Sequence, residues 1–283
     1  MLGISRQGFQ ADPGRIVTER TLEEYAGRYR HVRFERSGNI LRLTVHSDGG
    51  PLIWGGGPHE EMSRLWRDVG DDRENHVIVL TGTGAWFTGP RGADAQRHFT
   101  GVPKPADWDV GIRRGRSMQM DMLNVDVPII AAVNGPVLRH LELALLCDIV
   151  LASETASFED SGHYAGGNLV PGDGAHVALS LLLGVNRARY MIFTGQSLTA
   201  AQAMSLGLVA EVLPADQLLP RAEELARQIA NKPKLMTRYT RQVMTQFIKF
   251  QMQQHLHTGL AMEALADIDR AMAAAVPQEG TDQ

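Results

Sequence analysis

Three short apolar runs constrain the fold of this chain more than any other feature: His76-Val-Ile-Val-Leu-Thr81, Pro128-Ile-Ile-Ala-Ala-Val133 and Ile149-Val-Leu-Ala152. They are rich in β-branched residues and do not alternate with polar ones, the pattern of strands buried on both faces. A helical stretch separates the first two, so the runs suit parallel strands joined by crossover helices. Ahead of them, Val32-Arg-Phe-Glu-Arg36 and Ile40-Leu-Arg-Leu-Thr-Val45 alternate on either side of Ser37-Gly38-Asn39, which predicts a β-hairpin. A helix is expected over 60–69. After Leu198 the spacing turns to threes and fours, predicting helices over 217–231, 234–249 and 252–274. The expected organisation is an N-terminal arm (1–24), an α/β core (25–214), a C-terminal helical region (215–276) and a tail (277–283). No internal repeat or low-complexity linker interrupts it.

With 283 residues and 43% hydrophobic content, the chain has ample material for a large core. A net charge of −4, with Lys and Arg dispersed, leaves no electrostatic footprint for nucleic acid or an anionic membrane. The expected partner is therefore a small molecule. No apolar run is long enough to span a bilayer and Met1 to Glu19 does not read as a signal peptide, so a cytoplasmic location is expected. The single cysteine, Cys147, sits in an apolar segment and reads as a buried structural thiol. No histidine–carboxylate pair has the compact spacing of a zinc or iron motif, and Gly82-Thr-Gly84 does not open a helix as a phosphate loop would. No cofactor is expected.

Four ordered segments resemble the crotonase (enoyl-CoA hydratase/isomerase) superfamily: Val79-Leu-Thr-Gly-Thr-Gly84 leading to Phe87; Ile130-Ala-Ala-Val-Asn-Gly-Pro136 leading to Glu142-Leu-Ala-Leu-Leu-Cys-Asp148; Val170-Pro-Gly-Asp-Gly174; and Thr194-Gly followed by Ala200-Ala-Gln-Ala-Met-Ser-Leu-Gly-Leu-Val209. The resemblance covers about 32–230. It implies an α/β fold, the crotonase spiral of ββα repeats with a C-terminal helical trimerisation region, assembling as a homotrimer or a dimer of trimers. It also implies an oxyanion hole of two backbone N–H groups. Preorganised donors of that kind are worth about two to three orders of magnitude in rate.

Departures from the family pattern carry more information than the matches. A Gly-Gly-Gly stretch normally precedes the first catalytic glutamate, whereas this chain reads Val137-Leu-Arg-His140-Leu-Glu142, one residue shorter. Gly162 stands where the second glutamate is expected, and Pro90 replaces a glycine in Phe87-Thr-Gly-Pro-Arg-Gly92. A hydratase with paired carboxylates is therefore not expected. These departures resemble the 6-oxocamphor hydrolase group of β-diketone hydrolases. The similarity runs through Leu52-Ile-Trp54 with His59, Asp107-Trp-Asp109, His140, His163, Val170-Pro-Gly-Asp-Gly-Ala-His176 and Gly259-Leu-Ala-Met-Glu-Ala-Leu265.

That resemblance implies cofactor-independent retro-Claisen cleavage of a cyclic or bicyclic 1,3-diketone, with a small hydrophobic substrate. His163 would activate water, oriented by Asp173, and His140 would donate to the carbonyl that becomes the enolate; Trp54, His59, Glu263, Asp107 and Gly89 would bind substrate. Histidine suits the base role because its ordinary pKa near 6.5 lets it accept and return a proton around neutrality. Glu263 has separate support: Leu256, Leu260 and Glu263 share a helix face, and a carboxylate on an apolar stripe needs a partner. Plainer readings stay open. Asp173 in Pro171-Gly-Asp-Gly174 is equally a turn residue or cap, Trp54 ordinary core, Asp107 a solvated loop carboxylate, His59 and His176 bystanders. Glu142 leaves room for acyl-CoA chemistry, and the scaffold for a non-catalytic binding protein.

Overall fold

The computed structural model describes residues 20–91 and 101–275; residues 1–19 and 277–283 of the two expected arms, and Gly92, lie outside them. Helix α1 (Leu22–Tyr25) begins ahead of Tyr25, because the Thr21 N–H donates to the Glu24 carboxylate at 3.0 Å and Arg20 pairs with Asp68. The hairpin forms as β1 (Val32–Ser37) and β2 (Ile40–Val45), in antiparallel register from Val32 opposite Val45 to Ser37 opposite Ile40.

After α2 (Gly56–Asp71) the three apolar runs become β3 (Val77–Thr81), β4 (Ile129–Val133) and β5 (Ile149–Ser153). Every residue of β3 and β4 is buried, as expected of parallel strands covered on both faces. Helix α3 (Pro105–Asn124) connects β3 to β4, and the short α4 (Glu142–Leu145) lies between β4 and β5. The remaining elements are β6 (Ser157–Phe158), α5 (Tyr164–Gly167), α6 (Ala175–Leu183), α7 (Val185–Thr194), β7 (Leu198–Thr199), α8 (Ala200–Ser205), β8 (Glu211–Leu213), α9 (Ala215–Ala230) and α10 (Lys234–Ala275).

The main sheet has the order β1-β2-β3-β4-β5-β8, parallel throughout except for the hairpin. Helix α9 covers one face, setting Leu218, Ala222 and Ala226 against Val77, Val79, Ile130 and Leu151. The other face carries the larger core, including Trp66, Met118, Met122, Leu256 and Leu260. A second, narrower ladder runs beside the sheet: Ile53 bridges Gly89, Thr88 bridges Val137, and Val137 bridges Phe158, all parallel. Each turn of chain thus adds one long strand and one short segment, which is the ββα spiral. The second ladder ends at Trp54, Gly89, Leu138 and Glu159, the level at which the polar side chains described next emerge.

At the C-terminus the two helices expected over 234–249 and 252–274 are one continuous helix of 42 residues. The intervening Phe250 and Gln251 are ordinary helical residues, and no glycine or proline interrupts the backbone there. Among the described residues, no helix is long and apolar enough to cross a membrane.

Candidate active site

Stretches far apart in sequence deliver side chains to one buried polar cluster. His140 follows the short segment of the third spiral turn and takes a left-handed φ of 48°. A side chain in that conformation costs about 1–2 kcal/mol, so the backbone keeps a geometry that favours glycine while carrying an imidazole. Nδ1 of His140 lies 2.6 Å from Glu142 Oε1 and 3.1 Å from Asp173 Oδ2. Gln119, from the apolar face of α3, donates to the same Glu142 oxygen at 2.9 Å.

Asp173 sits in the turn before α6, and its Oδ2 also lies 3.4 Å from Nε2 of His163. One carboxylate therefore faces both rings. The other nitrogen of His163, Nδ1, is 2.7 Å from Asp160 Oδ1, and Glu263 of α10 approaches Nε2 at 3.8 Å. Trp54 closes the opposite side: its ring lies over His140 at 4.1 Å between centroids, and its Nε1–H donates to Nδ1 of His59 at 3.2 Å. His59 in turn meets His140 edge to face at 4.7 Å.

The approach of α10 depends on two glycines. A Cβ on Gly172 would fall 2.1 Å from the Gly259 carbonyl oxygen, and one on Gly259 would fall 2.4 Å from the Gly172 oxygen. A glycine inside a helix costs about 1 kcal/mol relative to alanine; here it lets α10 touch the Asp173 turn backbone to backbone. Glu263 follows one helical turn later.

Electrostatically the cluster is charged and self-compensating. Burial works against charge on His163, yet Asp173, Asp160 and Glu263 outweigh it and hold the ring pKa well above its ordinary value. For His140 burial is likewise overcome by Glu142 and Asp173, which raise it to about 9. Burial would raise Asp173, but His163 and His140 prevail and hold it below the usual carboxylate range. Burial and the neighbouring Asp173 push Glu142 up against the pull of His140. Glu263 is pushed up to about 8, again chiefly by burial. The two histidine rings thus hold the Asp173 carboxyl down, while burial pushes those of Glu142 and Glu263 up. His140, Glu142 and Asp173 bring polar atoms within 4.8 Å of one another, with Nδ1 of the His140 ring facing both carboxylates.

Several expectations change. Asp173 is expected to orient His163, but Nδ1 of that ring meets Asp160, while Asp173 lies by Nε2 and is shared with His140. Gly89 cannot offer its N–H to a substrate, because it donates to the Leu52 carbonyl at 3.2 Å; its own carbonyl accepts from the Trp54 N–H at 2.8 Å, so Gly89 seats Trp54. Asp107 is exposed and accepts the Lys104 N–H at 2.8 Å, closing the first turn of α3, and is not among the residues brought together. Asp160 and Gln119 were not singled out. Asp160 stands three residues before His163, and Gln119 is a buried polar group on a stripe with Met118 and Met122, the same signal that marked Glu263.

The enoyl-CoA hydratase/isomerase family model matches residues 58–269, and the chain belongs to that family. It is 27% identical to the short-chain-enoyl-CoA hydratase of Clostridium acetobutylicum over 83% of this chain and 87% of the relative. It is 30% identical to carnitinyl-CoA dehydratase of Escherichia coli K12 over 72% and 76%. Among solved structures it is similar to a β-diketone hydrolase from the cyanobacterium Anabaena sp. PCC 7120 bound to (S)-3-oxocyclohexyl acetic acid, with TM-score 0.82 and 39% identity over 87% of this chain and 98% of that one.

Proposed function

We propose that this crotonase-family enzyme is a cofactor-independent β-diketone hydrolase, cleaving a cyclic or bicyclic 1,3-diketone to a keto acid by a retro-Claisen route. The observation that carries the reading is the convergence of two imidazoles on one buried carboxylate, beside a tryptophan wall. The likeness to a β-diketone hydrolase supports it, as does Gly162, which leaves no second glutamate for hydratase chemistry.

In the proposed reaction, Nε2 of His163 takes a proton from water as the oxygen bonds to one carbonyl carbon. The tetrahedral intermediate collapses, the bond to the carbon between the carbonyls breaks, and its electron pair forms the enolate of the second ketone. His140 donates to that enolate oxygen. His163 then returns the proton to the enolate carbon, and the product leaves as a keto acid. Because its carboxylates hold His163 protonated, the base form is reached only as pH rises, so the rate climbs on the alkaline side of 6.5. A keto acid with a ring ketone, read backwards through this route, is a bicyclic diketone whose carbonyls share a bridgehead, and Trp54 suits such a compact apolar body. The apolar residues exposed along α10, among them Leu235, Tyr239, Val243, Phe247 and Phe250, fit burial against further copies in a homotrimer or dimer of trimers.

The test is loss of ultraviolet absorbance when the purified protein meets cyclic and bicyclic 1,3-diketones, with crotonyl-CoA in parallel. Diketone cleavage abolished by His163→Ala is expected. Turnover of crotonyl-CoA with no diketone cleaved overturns the reading in favour of acyl-CoA chemistry. Inactivity on both favours a binding role.

A further inference from the structure

Glu142 matches the first catalytic glutamate of the family, yet it is fully buried and two groups already bind it. His140 Nδ1 lies 2.6 Å from Oε1, and the Gln119 amide donates to the same oxygen at 2.9 Å. Its second oxygen, Oε2, is buried and has no protein partner. We propose that Glu142 is a positioning residue acting through His140: it fixes the Nδ1 proton and makes the ring an imidazolium whose Nε2–H serves the enolate oxygen.

The tautomer carries the argument. A neutral imidazole with its proton on Nδ1 presents only a lone pair at Nε2 and cannot donate from that side. With Nδ1 committed to Glu142, His140 is a donor from Nε2 only when doubly protonated. The groups facing it decide that state: Glu142 from α4, Asp173 from the turn before α6, Glu263 from α10, His163 through Asp173, and His59 from α2. Glu142 is the nearest carboxylate. Burial without it would favour the neutral, non-donating ring. The residue that performs acid–base work directly in the resembled family thus works here one step removed, because an imidazole stands between it and the substrate.

Deepening the proposed function in this way rests on that reading for its chemistry, but the decisive test does not require activity. Glu142→Gln keeps the shape and both hydrogen bonds, since the amide oxygen still accepts from His140 and Gln119, and removes only the charge. NMR titration of His140 in the full-length protein is expected to move down from about 9 by about one to three units. On a diketone, kcat at pH 8 is expected to fall at least about tenfold with KM nearly unchanged, and the alkaline limb of the pH profile to move down with the titration. Glu142→Asp retains the charge one methylene further away and should restore part of both shifts; it also serves if Glu142→Gln does not fold. An unmoved His140 titration, or an unmoved alkaline limb, overturns the proposal. So does crotonyl-CoA hydration by the wild type that Glu142→Gln abolishes, since Glu142 would then act directly. Absence of diketone cleavage in the wild type would fail the proposed function alone, leaving the titration to decide the role of Glu142.

Discussion

Replacing Asp173 with asparagine removes the one charge that both histidines share, and its effect can be worked from the distances. Oδ2 lies 3.1 Å from one ring and 3.4 Å from the other, in a residue only 4% exposed. Near 4 Å a pair of unit charges is worth about 4 kcal/mol at an effective dielectric of about 20, and breaking a buried pair costs about 3–5 kcal/mol net. Some of this is returned, because Asp173 also raises the carboxyl pKa of Glu142 and Glu263, and that repulsion disappears. A net loss of about 3 kcal/mol lowers Tm by about 6 °C at roughly 2 °C per kcal/mol. Both rings also lose a counter-charge, so the acidic limb of the rate profile should shift down by about one to three pH units, alongside a lower maximal rate. The sign with pH follows from a depressed carboxyl pKa: the stabilisation is present above the unfolded value of 3.8 and is lost as pH falls below it. The gap in Tm between wild type and Asp173→Asn should therefore narrow in acid. Calorimetry across pH 3–8 and a pH–rate profile measure all of this. A Tm within about 1 °C of wild type at pH 7, with an unmoved acidic limb, would show that Asp173 is not the shared counter-ion.

Three further outcomes are expected. Because the His140 pKa is raised to about 9, its contribution to stability is complete below the ordinary histidine value and is lost as pH climbs through about 9; urea midpoints measured from pH 7 to 10 should fall in the wild type and flatten in His140→Gln. Trp54→Ala removes a ring only 3% exposed from its place over His140, costing about 3–5 kcal/mol in chemical denaturation and raising KM for a bulky diketone. Asp107→Ala removes only a cap on α3 and should cost about 1 kcal/mol, with kcat/KM unchanged; a large loss of kcat/KM would return Asp107 to the substrate site.

Much of the scaffold was legible in sequence because burial on both faces leaves a plain mark: β3 and β4 lie where uninterrupted β-branched runs predicted strands. The continuity of α10 was not legible, since a short break in apolar spacing does not break a helix whose backbone hydrogen bonds are intact. The cluster divides in the same way. Glu263 was traceable as a carboxylate on an apolar stripe. The partner of each His163 nitrogen was not, because sequence spacing does not say which side of an imidazole a carboxylate will meet. Asp160 and Asp173 both lie within reach along the chain, and only the path of the backbone from β6 through α5 to α6 sets one on Nδ1 and the other on Nε2.

The contact between Gly172 and Gly259 makes α10 an indexed part. With backbone against backbone, the helix has no side chain at that point to absorb a shift, so its rotation is fixed where it meets the Asp173 turn. Glu263 inherits that setting at a distance of one turn. A single residue inserted between 259 and 263 would swing the carboxylate by about 100° and off the cluster, while the same insertion beyond Asp267 would leave it in place. The far end of α10 is thus free to vary in length, and the stretch that joins the two glycine-fixed positions to Glu263 is not.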